Sequence, residues 1–365
     1  MRQSQSISRL LISASPSTKH LLRSFIALAA LRFNSFLANV GRIRLIIPLP
    51  DPDRAVVPLV IPNLLLAGAQ KSGTSALHAA LELISQEART LCFPKKLKTE
   101  EKFYAKELHF FDMENRWREG PLFFHDRFRH CLTNHSHKGK GQRQWRLDAT
   151  PAYMLFPERI VSFYQDHGVI DALRIIFCLR EPVSREISWY KHKKRDFIER
   201  GIPLMEGNLT SLLDFWTKKN FSDLLAQNGN NARNLASPSS HNKGLYGPLL
   251  RRWIASMPGR RSQILVLSYD ELLKDQVSVL RRINGFLGLI HQGYDASRDL
   301  VRKVPIRNKF SALLYNSTET PCSYQDDLAM LYEKSNEQLY QLLRQNPGPP
   351  TEERPFRIFQ YKCDH

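Results

Sequence analysis

The first 50 residues of this 365-residue chain contain no aspartate or glutamate. Seven basic residues (Arg2, Arg9, Lys19, Arg23, Arg32, Arg42 and Arg44) fall in that stretch, and serine is frequent. It also lacks a clean run of about 20 apolar residues, the length a membrane-spanning helix needs. The best stretch, Phe25 to Leu31 within Leu21–Val40, is bracketed by Arg23 and Arg32. Three readings fit: a weak signal or signal-anchor, an organellar transit peptide, or a disordered basic leader. Cysteine is sparse as well. The five (Cys92, Cys131, Cys178, Cys322 and Cys363) are scattered without metal-ligand spacing. No His-Glu-x-x-His and no carboxylate cluster accompanies them, so no metal centre is expected. The odd count argues against a disulfide scaffold and leaves room for one bridge. Cys178 lies in an apolar run and is expected in the core.

No internal repeat appears between residues 63 and 345, which excludes a repeat array. An apolar fraction of 42% and this length suit one large α/β domain or two small ones. The charge is far from balanced, with 53 basic against 35 acidic residues and a net +18. A basic body implies an acidic partner: nucleic acid, anionic polysaccharide, phosphorylated cofactor or membrane surface. The plainer alternative is a soluble, generally basic surface. Four N-x-[ST] sequons, at Asn134, Asn208, Asn220 and Asn316, are a mild pointer to the secretory pathway and a glycoprotein.

Pro48, Pro50, Pro52, Pro58 and Pro62 make a stiff linker, so residues 1–62 read as a basic targeting or anchor segment plus linker. Residues 63–345 read as the folded domain, and 346–365, with Pro347, Pro349, Pro350 and Pro355, as a tail. Within the domain, Leu64–Ala67, Leu173–Leu179 and Gln263–Ser268 are buried strands. Ser75–Ser85 is a helix with Leu77, Leu81 and Ile84 on one face. Another helix starts at Pro182, where proline suits the first turn. Further helices are expected over Tyr246–Ser256, Leu280–Leu287 and Tyr324–Leu343. Residues 201–242, rich in Asn, Ser and Gly, read as an insertion or surface loop. The alternation predicts a single P-loop-like α/β domain, its central, mostly parallel sheet flanked by helices.

The run Leu64-Leu65-Leu66-Ala67-Gly68-Ala69-Gln70-Lys71-Ser72-Gly73-Thr74-Ser75 reads as strand, tight loop and helix start. Such a loop aims backbone N–H groups and a helix N-terminus at one spot, which suits a phosphate. It nearly matches the G-x-x-x-x-G-K-[ST] P-loop, but Thr74 follows Gly73 where the lysine belongs. The lysine stands inside the loop, at Lys71. A second constellation, Arg180-Glu181-Pro182-Val183-Ser184-Arg185-Glu186-Ile187-Ser188-Trp189-Tyr190-Lys191-His192, begins at the C-terminal end of a strand, where open α/β sheets bind ligands. Ser188 and His192 share a helix face. Arg180 with Ser188 is a sensible phosphate clamp; the competing reading is a salt-bridged surface helix.

Two phosphate-seeking elements, each after a strand, imply a ligand with phosphates at two places. Here the chain resembles the sulfotransferases that use 3′-phosphoadenosine 5′-phosphosulfate (PAPS), and most of all the heparan sulfate and glycosaminoglycan N- and 3-O-sulfotransferases. Lys71-Ser72-Gly73-Thr74-Ser75 matches that family's 5′-phosphosulfate loop, and Arg180 with Ser188 its 3′-phosphate site. The family's Lys-Glu-x-x-Phe-Phe segment appears as Lys106-Glu107-Leu108-His109-Phe110-Phe111-Asp112, and its Ser-Trp-Tyr-x-His helix as Ser188-Trp189-Tyr190-Lys191-His192. Thr150-Pro151-Ala152-Tyr153, Gly244-Leu245-Tyr246 and Phe286-Leu287-Gly288-Leu289 continue the likeness, which spans about residues 63–343.

The resemblance implies a PAPS donor, PAP as product, no required metal, and a carbohydrate acceptor rather than nucleic acid. It implies that Lys71 stabilises charge on the leaving oxygen and that Glu107 is the base. His109, which faces the same way as Glu107 in an extended segment, and His192 are the alternatives. Thr150, Tyr153 and Tyr246 are the expected acceptor contacts. The resemblance further implies a Golgi lumenal domain behind a membrane anchor within residues 1–50, although that stretch is a poor anchor. Two departures concern the acceptor side. The family's Lys-Ser-Pro-x-Tyr pattern reads Ala149-Thr150-Pro151-Ala152-Tyr153, without its lysine. The family's late, disulfide-bounded basic loop has only Arg302–Lys309 as a substitute, with no cysteine pair enclosing it. Two other functions compete. One is a kinase-like nucleotide enzyme, with Ile264–Ser268 and Asp270-Glu271 supporting magnesium. The other is a non-catalytic binder of anionic polymers.

Overall fold

The computed structural model describes residues 59–88, 91–95, 106–133, 144–199, 241–289, 322–349 and 356–363. Five strands form one sheet: β1 (Leu64–Gly68), β2 (Leu91–Cys92), β3 (Trp145–Asp148), β4 (Arg174–Leu179) and β5 (Ile264–Ser268). Their spatial order is β2-β3-β1-β4-β5, and every neighbouring pair is parallel. Parallel strands need crossovers, which here place helices on both faces. The α-helices are α1 (Thr74–Ala88), α2 (Glu114–Trp117), α3 (Leu122–Phe128), α4 (His130–Thr133), α5 (Pro157–Asp166), α6 (Pro182–Glu199), α7 (Tyr246–Ser256), α8 (Tyr269–Lys274), α9 (Gln276–Leu287) and α10 (Cys322–Gln345). The α/β class and the parallel sheet agree with the sequence pattern.

Because side chains alternate along a strand, β1 divides its apolar residues between two cores. Leu64 and Leu66 pack with Leu77 and Leu81 of α1 and with Leu280 and Ile283 of α9. Leu65 and Ala67 face the larger core, with Phe110, Phe111, Tyr153, Phe177 and Trp253. Cys178 is buried and unbridged, as its apolar surroundings suggested. The expected helix Tyr246–Ser256 has those bounds, while the helix expected over Leu280–Leu287 starts a turn earlier, at Gln276. There Asp275 caps α9 by accepting from the Ser278 N–H at 3.0 Å.

Strands β2 and β3 have no clear sequence signal. Strand β3 reads Trp-Arg-Leu-Asp, and its polar members are satisfied at a distance. The Arg146 guanidinium donates to the Ile61 carbonyl at 2.6 Å, and the Arg146 N–H to the Asn63 side chain at 2.7 Å.

Two disulfides, Cys92–Cys131 and Cys322–Cys363, correct the expectation of at most one. Their partners lie 39 and 41 residues apart in sequence, and only the fold brings the Cα atoms to 6.1 and 5.7 Å. The second bridge also corrects the reading of 346–365 as a tail. Phe356 and Phe359 pack on the larger core, the Phe359 N–H donates to the Tyr340 hydroxyl at 2.8 Å, and the Tyr361 hydroxyl donates to Asp326 at 2.9 Å. Helix α10 in turn lies so close to α7 that a Cβ on Gly247 would stand 2.3 Å from the Ser335 carbonyl oxygen. Only glycine permits that approach.

The N-terminal segment 1–58, all four sequons, and most of 201–242 and all of 302–309 lie outside the described residues. Among the described residues, no helix is long and apolar enough to cross a membrane.

Candidate active site

The loop from β1 to α1 sits at the C-terminal edge of the central strand. Its Ala69 N–H donates to the Cys178 carbonyl at 2.7 Å, tying it to the neighbouring strand, and the Ser72 N–H donates back to the Ala69 carbonyl at 3.2 Å. Lys71 (φ 70°) and Gly73 (φ 82°) adopt left-handed backbone conformations. At Gly73 a Cβ would also meet the Tyr269 ring at 2.7 Å, so both backbone and packing select glycine. The same ring carries the Arg180 guanidinium 4.9 Å from its centre, and Arg180 donates to the Lys71 carbonyl at 3.5 Å. The two phosphate-seeking motifs, 109 residues apart, therefore meet.

Beneath the loop, Ser72 is fully buried and its hydroxyl faces the Tyr246 phenol. Burial pushes Tyr246 up to about 12, although the nearby Arg185 charge opposes the rise. Helix α6 begins where the Glu181 carboxylate accepts from the Val183 and Ser184 N–H groups at 2.8 and 2.7 Å. Ser188 and His192 follow on α6, both half-buried, and the His192 ring lies 5.8 Å from Trp189. Trp189 receives the Lys243 ammonium 4.4 Å above its ring, and Lys243 donates to the loop residue Gln70 at 2.9 Å.

On the α1 side stands a chain of four charged groups. The Lys106 ammonium donates to the Ser75 hydroxyl at 3.0 Å, the Thr74 hydroxyl at 3.3 Å and the Glu107 carboxylate at 2.9 Å. The other Glu107 oxygen lies 3.3 Å from His109 Nε2, and His109 Nδ1 is 2.7 Å from Asp112. Burial works to raise Glu107, but the His109 hydrogen bond and the Lys106 charge prevail and bring it down to about 2. Burial likewise works to lower His109, and hydrogen bonds to Asp112 and Glu107 lift it instead to about 9. His109 is thus an imidazolium at neutral pH and donates from both nitrogens. Its backbone is also left-handed (φ 50°), with its N–H donating to the Thr150 hydroxyl at 3.2 Å.

This has a consequence for stability. A histidine raised on folding contributes stabilisation that is complete below its unfolded value of 6.5 and disappears as pH climbs through about 9. Asp112→Asn should therefore cost more stability at about pH 6 than at about pH 10. Urea unfolding at both values checks this, and an equal cost would remove the imidazolium from the account.

Asp148, at the end of β3, organises the floor. It accepts from the Thr150 hydroxyl, the Tyr153 hydroxyl (both 2.7 Å) and the Leu108 N–H (3.3 Å). Its burial raises it to about 6 despite those hydrogen bonds. Thr150, Tyr153 and Tyr246 are all fully buried. Placed behind the site with their hydroxyls turned inward, they support its walls and offer no surface to an acceptor. Their expected role as acceptor contacts is corrected accordingly.

The fold brings Lys71, Ser72, Gly73, Thr74, Ser75 and Arg180 around one loop, with Glu107 and His109 joined to it through Lys106. Of the sequence candidates, His192 lies beside Trp189 on α6. Lys106, Asp112 and Asp148 were not singled out, although the first two lie in the quoted 106–112 run. Alternation along an extended segment would turn Lys106 away from Glu107 and His109; turns at Lys106 and over 110–112, with His109 left-handed between them, break that alternation. The magnesium-supporting role considered for Asp270-Glu271 fails at Glu271, which is buried in an ion pair with Arg282 at 2.7 Å. Among the described residues, the one grouping with metal-ligating atoms close together is Cys92, His130 and Cys131, and its two sulfurs are spent on a disulfide.

A parallel sheet whose central strand feeds a tight loop and helix N-terminus, with cations and a carboxylate gathered there, defines the class of α/β proteins whose loop geometry suits an anionic, phosphate-bearing ligand. Within that class the chain belongs to the sulfotransferase family: the sulfotransferase domain pattern matches residues 62–304. It is 24% identical over 233 residues to the human bifunctional heparan sulfate N-deacetylase/N-sulfotransferase 2, covering 63% of this chain and 22% of that protein. It is 26% identical over 235 residues to the mouse heparan sulfate glucosamine 3-O-sulfotransferase 3B1, covering 63% and 46%. The chain thus spans less than half the length of these relatives. Among solved structures, it is similar to a sulfotransferase from Alicyclobacillus acidocaldarius, with 22% identity, a TM-score of 0.47, and coverage of 78% of this chain and 96% of that one. It is also similar to the mouse sulfotransferase SULT7A1 complexed with PAP, at 17% identity and a TM-score of 0.36, covering 78% and 84%.

Proposed function

We propose that this protein transfers a sulfuryl group from PAPS to a hydroxyl or amine of a carbohydrate acceptor, leaving PAP. One observation carries the reading: the Lys106 ammonium ties the phosphate-binding loop to a carboxylate, so donor site and base form a single constellation. The donor set suits PAPS chemically. Loop N–H groups, the α1 N-terminus, the Thr74 and Ser75 hydroxyls and the Lys71 ammonium would hold the 5′-phosphosulfate, while Arg180 and Ser188 would hold the 3′-phosphate. When bound, PAPS supplies an electrophilic sulfur: the acceptor–sulfur bond forms as the bond from sulfur to the 5′-phosphate oxygen breaks, and the electron pair stays on that oxygen. Lys71 stabilises this developing charge. Glu107 takes the acceptor's proton, being already a carboxylate at neutral pH. His109 is already protonated and bonded to two carboxylates, so it orients Glu107 instead of replacing it.

The names of the relatives, heparan sulfate N- and 3-O-sulfotransferases, support an anionic polysaccharide as acceptor, and the net +18 agrees with it. Two disulfides and four sequons support a lumenal, secretory-pathway domain, with residues 1–50 as the candidate membrane anchor. Calorimetric titration tests the donor. PAP should bind in the presence of a chelator, whereas ATP with magnesium should not compete. Binding of magnesium-ATP without binding of PAP would overturn the reading. Radiolabelled sulfate transfer to a panel of glycans then identifies the acceptor.

A further inference from the structure

Lys106 has three N–H donors and uses all of them: two on the hydroxyls that open α1 and one on Glu107. Its side chain and that of Glu107 keep 18% and 26% of their surface exposed, so the pair lines the site and can be reached from it. The hydroxyls of Thr74 and Ser75 stand at the helix N-terminus, where an anion is most favoured. An ammonium already bonded to both hydroxyls stands beside any anionic oxygen docked at that spot. The same ammonium is bonded to Glu107, and its charge makes the carboxylate a poor proton acceptor.

We propose that Lys106 is a catalytic residue that exchanges partners, bonding Glu107 while the donor site is empty and the transferring sulfuryl group when it is filled. The base is thereby held weak until the donor arrives. Among the described contacts, loss of the Lys106 bond leaves Glu107 its bond to His109; Asp112 lies behind His109, Asp148 stands below on β3, and α1 presents the Thr74 and Ser75 hydroxyls. Glu107 then becomes a stronger base at the moment it is needed. The arrangement favours binding of the donor before proton removal. This inference rests on the PAPS reading above.

The test is carboxyl NMR of protein carbon-labelled at glutamate Cδ, with the Glu107 resonance assigned by its loss in Glu107→Gln. PAPS without acceptor should raise the Glu107 midpoint by at least about one pH unit over the free protein. PAP, which lacks the sulfuryl group, should leave it within about a third of that shift. In Lys106→Met the free protein should already show the raised midpoint, and PAPS should add nothing. Transfer by Lys106→Met should fall about 10²-fold in kcat, with partial rescue in Lys106→Arg. An unchanged Glu107 midpoint with PAPS in the wild type overturns the exchange, whether or not either variant folds. Absence of calorimetric binding by both PAP and PAPS is the separate outcome that overturns the donor reading, and the exchange with it.

Discussion

Glu107→Gln is expected to lower kcat for sulfuryl transfer by about 10²–10⁴-fold, the range over which a positioned base acts. The substitution keeps size and hydrogen-bonding shape while removing both the negative charge and the proton-accepting oxygen pair. The amide keeps one carbonyl oxygen for either Lys106 or His109 and turns its NH2 toward the other, so one of the two bonds is lost while the loop backbone is untouched. PAP affinity should consequently stay within about threefold of wild type, since the carboxylate is bonded to Lys106 and His109 and not to the loop backbone. Initial rates at saturating donor and acceptor, beside calorimetry with PAP, separate the two effects. A variant with near-normal kcat would remove Glu107 as base. His109→Gln, in contrast, should be milder, because it removes a group that orients the base and leaves the base in place.

Lys71→Ala should be nearly as damaging, lowering kcat by about 10²–10³-fold, the loss typical when one preorganised charge donor is removed from a leaving oxygen. The backbone makes this variant informative. Lys71 has φ 70°, a conformation that lysine and alanine find about equally strained. Truncation to alanine therefore changes the ammonium and leaves the loop's conformational cost as it was. Lys71→Gly provides the complementary control, relaxing the backbone while still lacking the charge. If alanine and glycine variants lose activity together, the ammonium carries the effect. If glycine alone restores activity, loop geometry outweighs charge at this position.

Much of the scaffold was legible from local patterns. Leu64-Leu65-Leu66 is apolar on both faces because both faces of β1 are covered, and Gly68, Gly73 and the hydroxyl pair Thr74-Ser75 mark the strand–loop–helix passage. Pro182 marks the start of α6, and Arg180 its position after β4. Other elements were hidden for physical reasons. Strand β3 carries Arg146 and Asp148, whose polar groups depend on Ile61, Asn63 and Leu108, far away in sequence, as well as on the nearby Thr150 and Tyr153. No local pattern announces such a strand. Thr150, Tyr153 and Tyr246 read as contacts for an acceptor because their hydroxyls sit in a family-like motif, yet burial turns them into supports.

The amino-acid sequence by itself determined the α/β class, the P-loop-like turn with its displaced Lys71, the position of Arg180, and the likeness to sulfotransferases. Each of these is written in neighbouring residues, where turn chemistry, strand runs and helix starts act over a few positions. The tertiary structure alone decided that Lys106 bonds Ser75 across 31 residues, that Lys243 reaches Gln70 across 173, and that Cys322 closes on Cys363. Such pairings depend on where the packed sheet and helices place distant segments. The displaced lysine of the loop marked the proposed donor site; packing supplied the second lysine that connects it to Glu107, the proposed base.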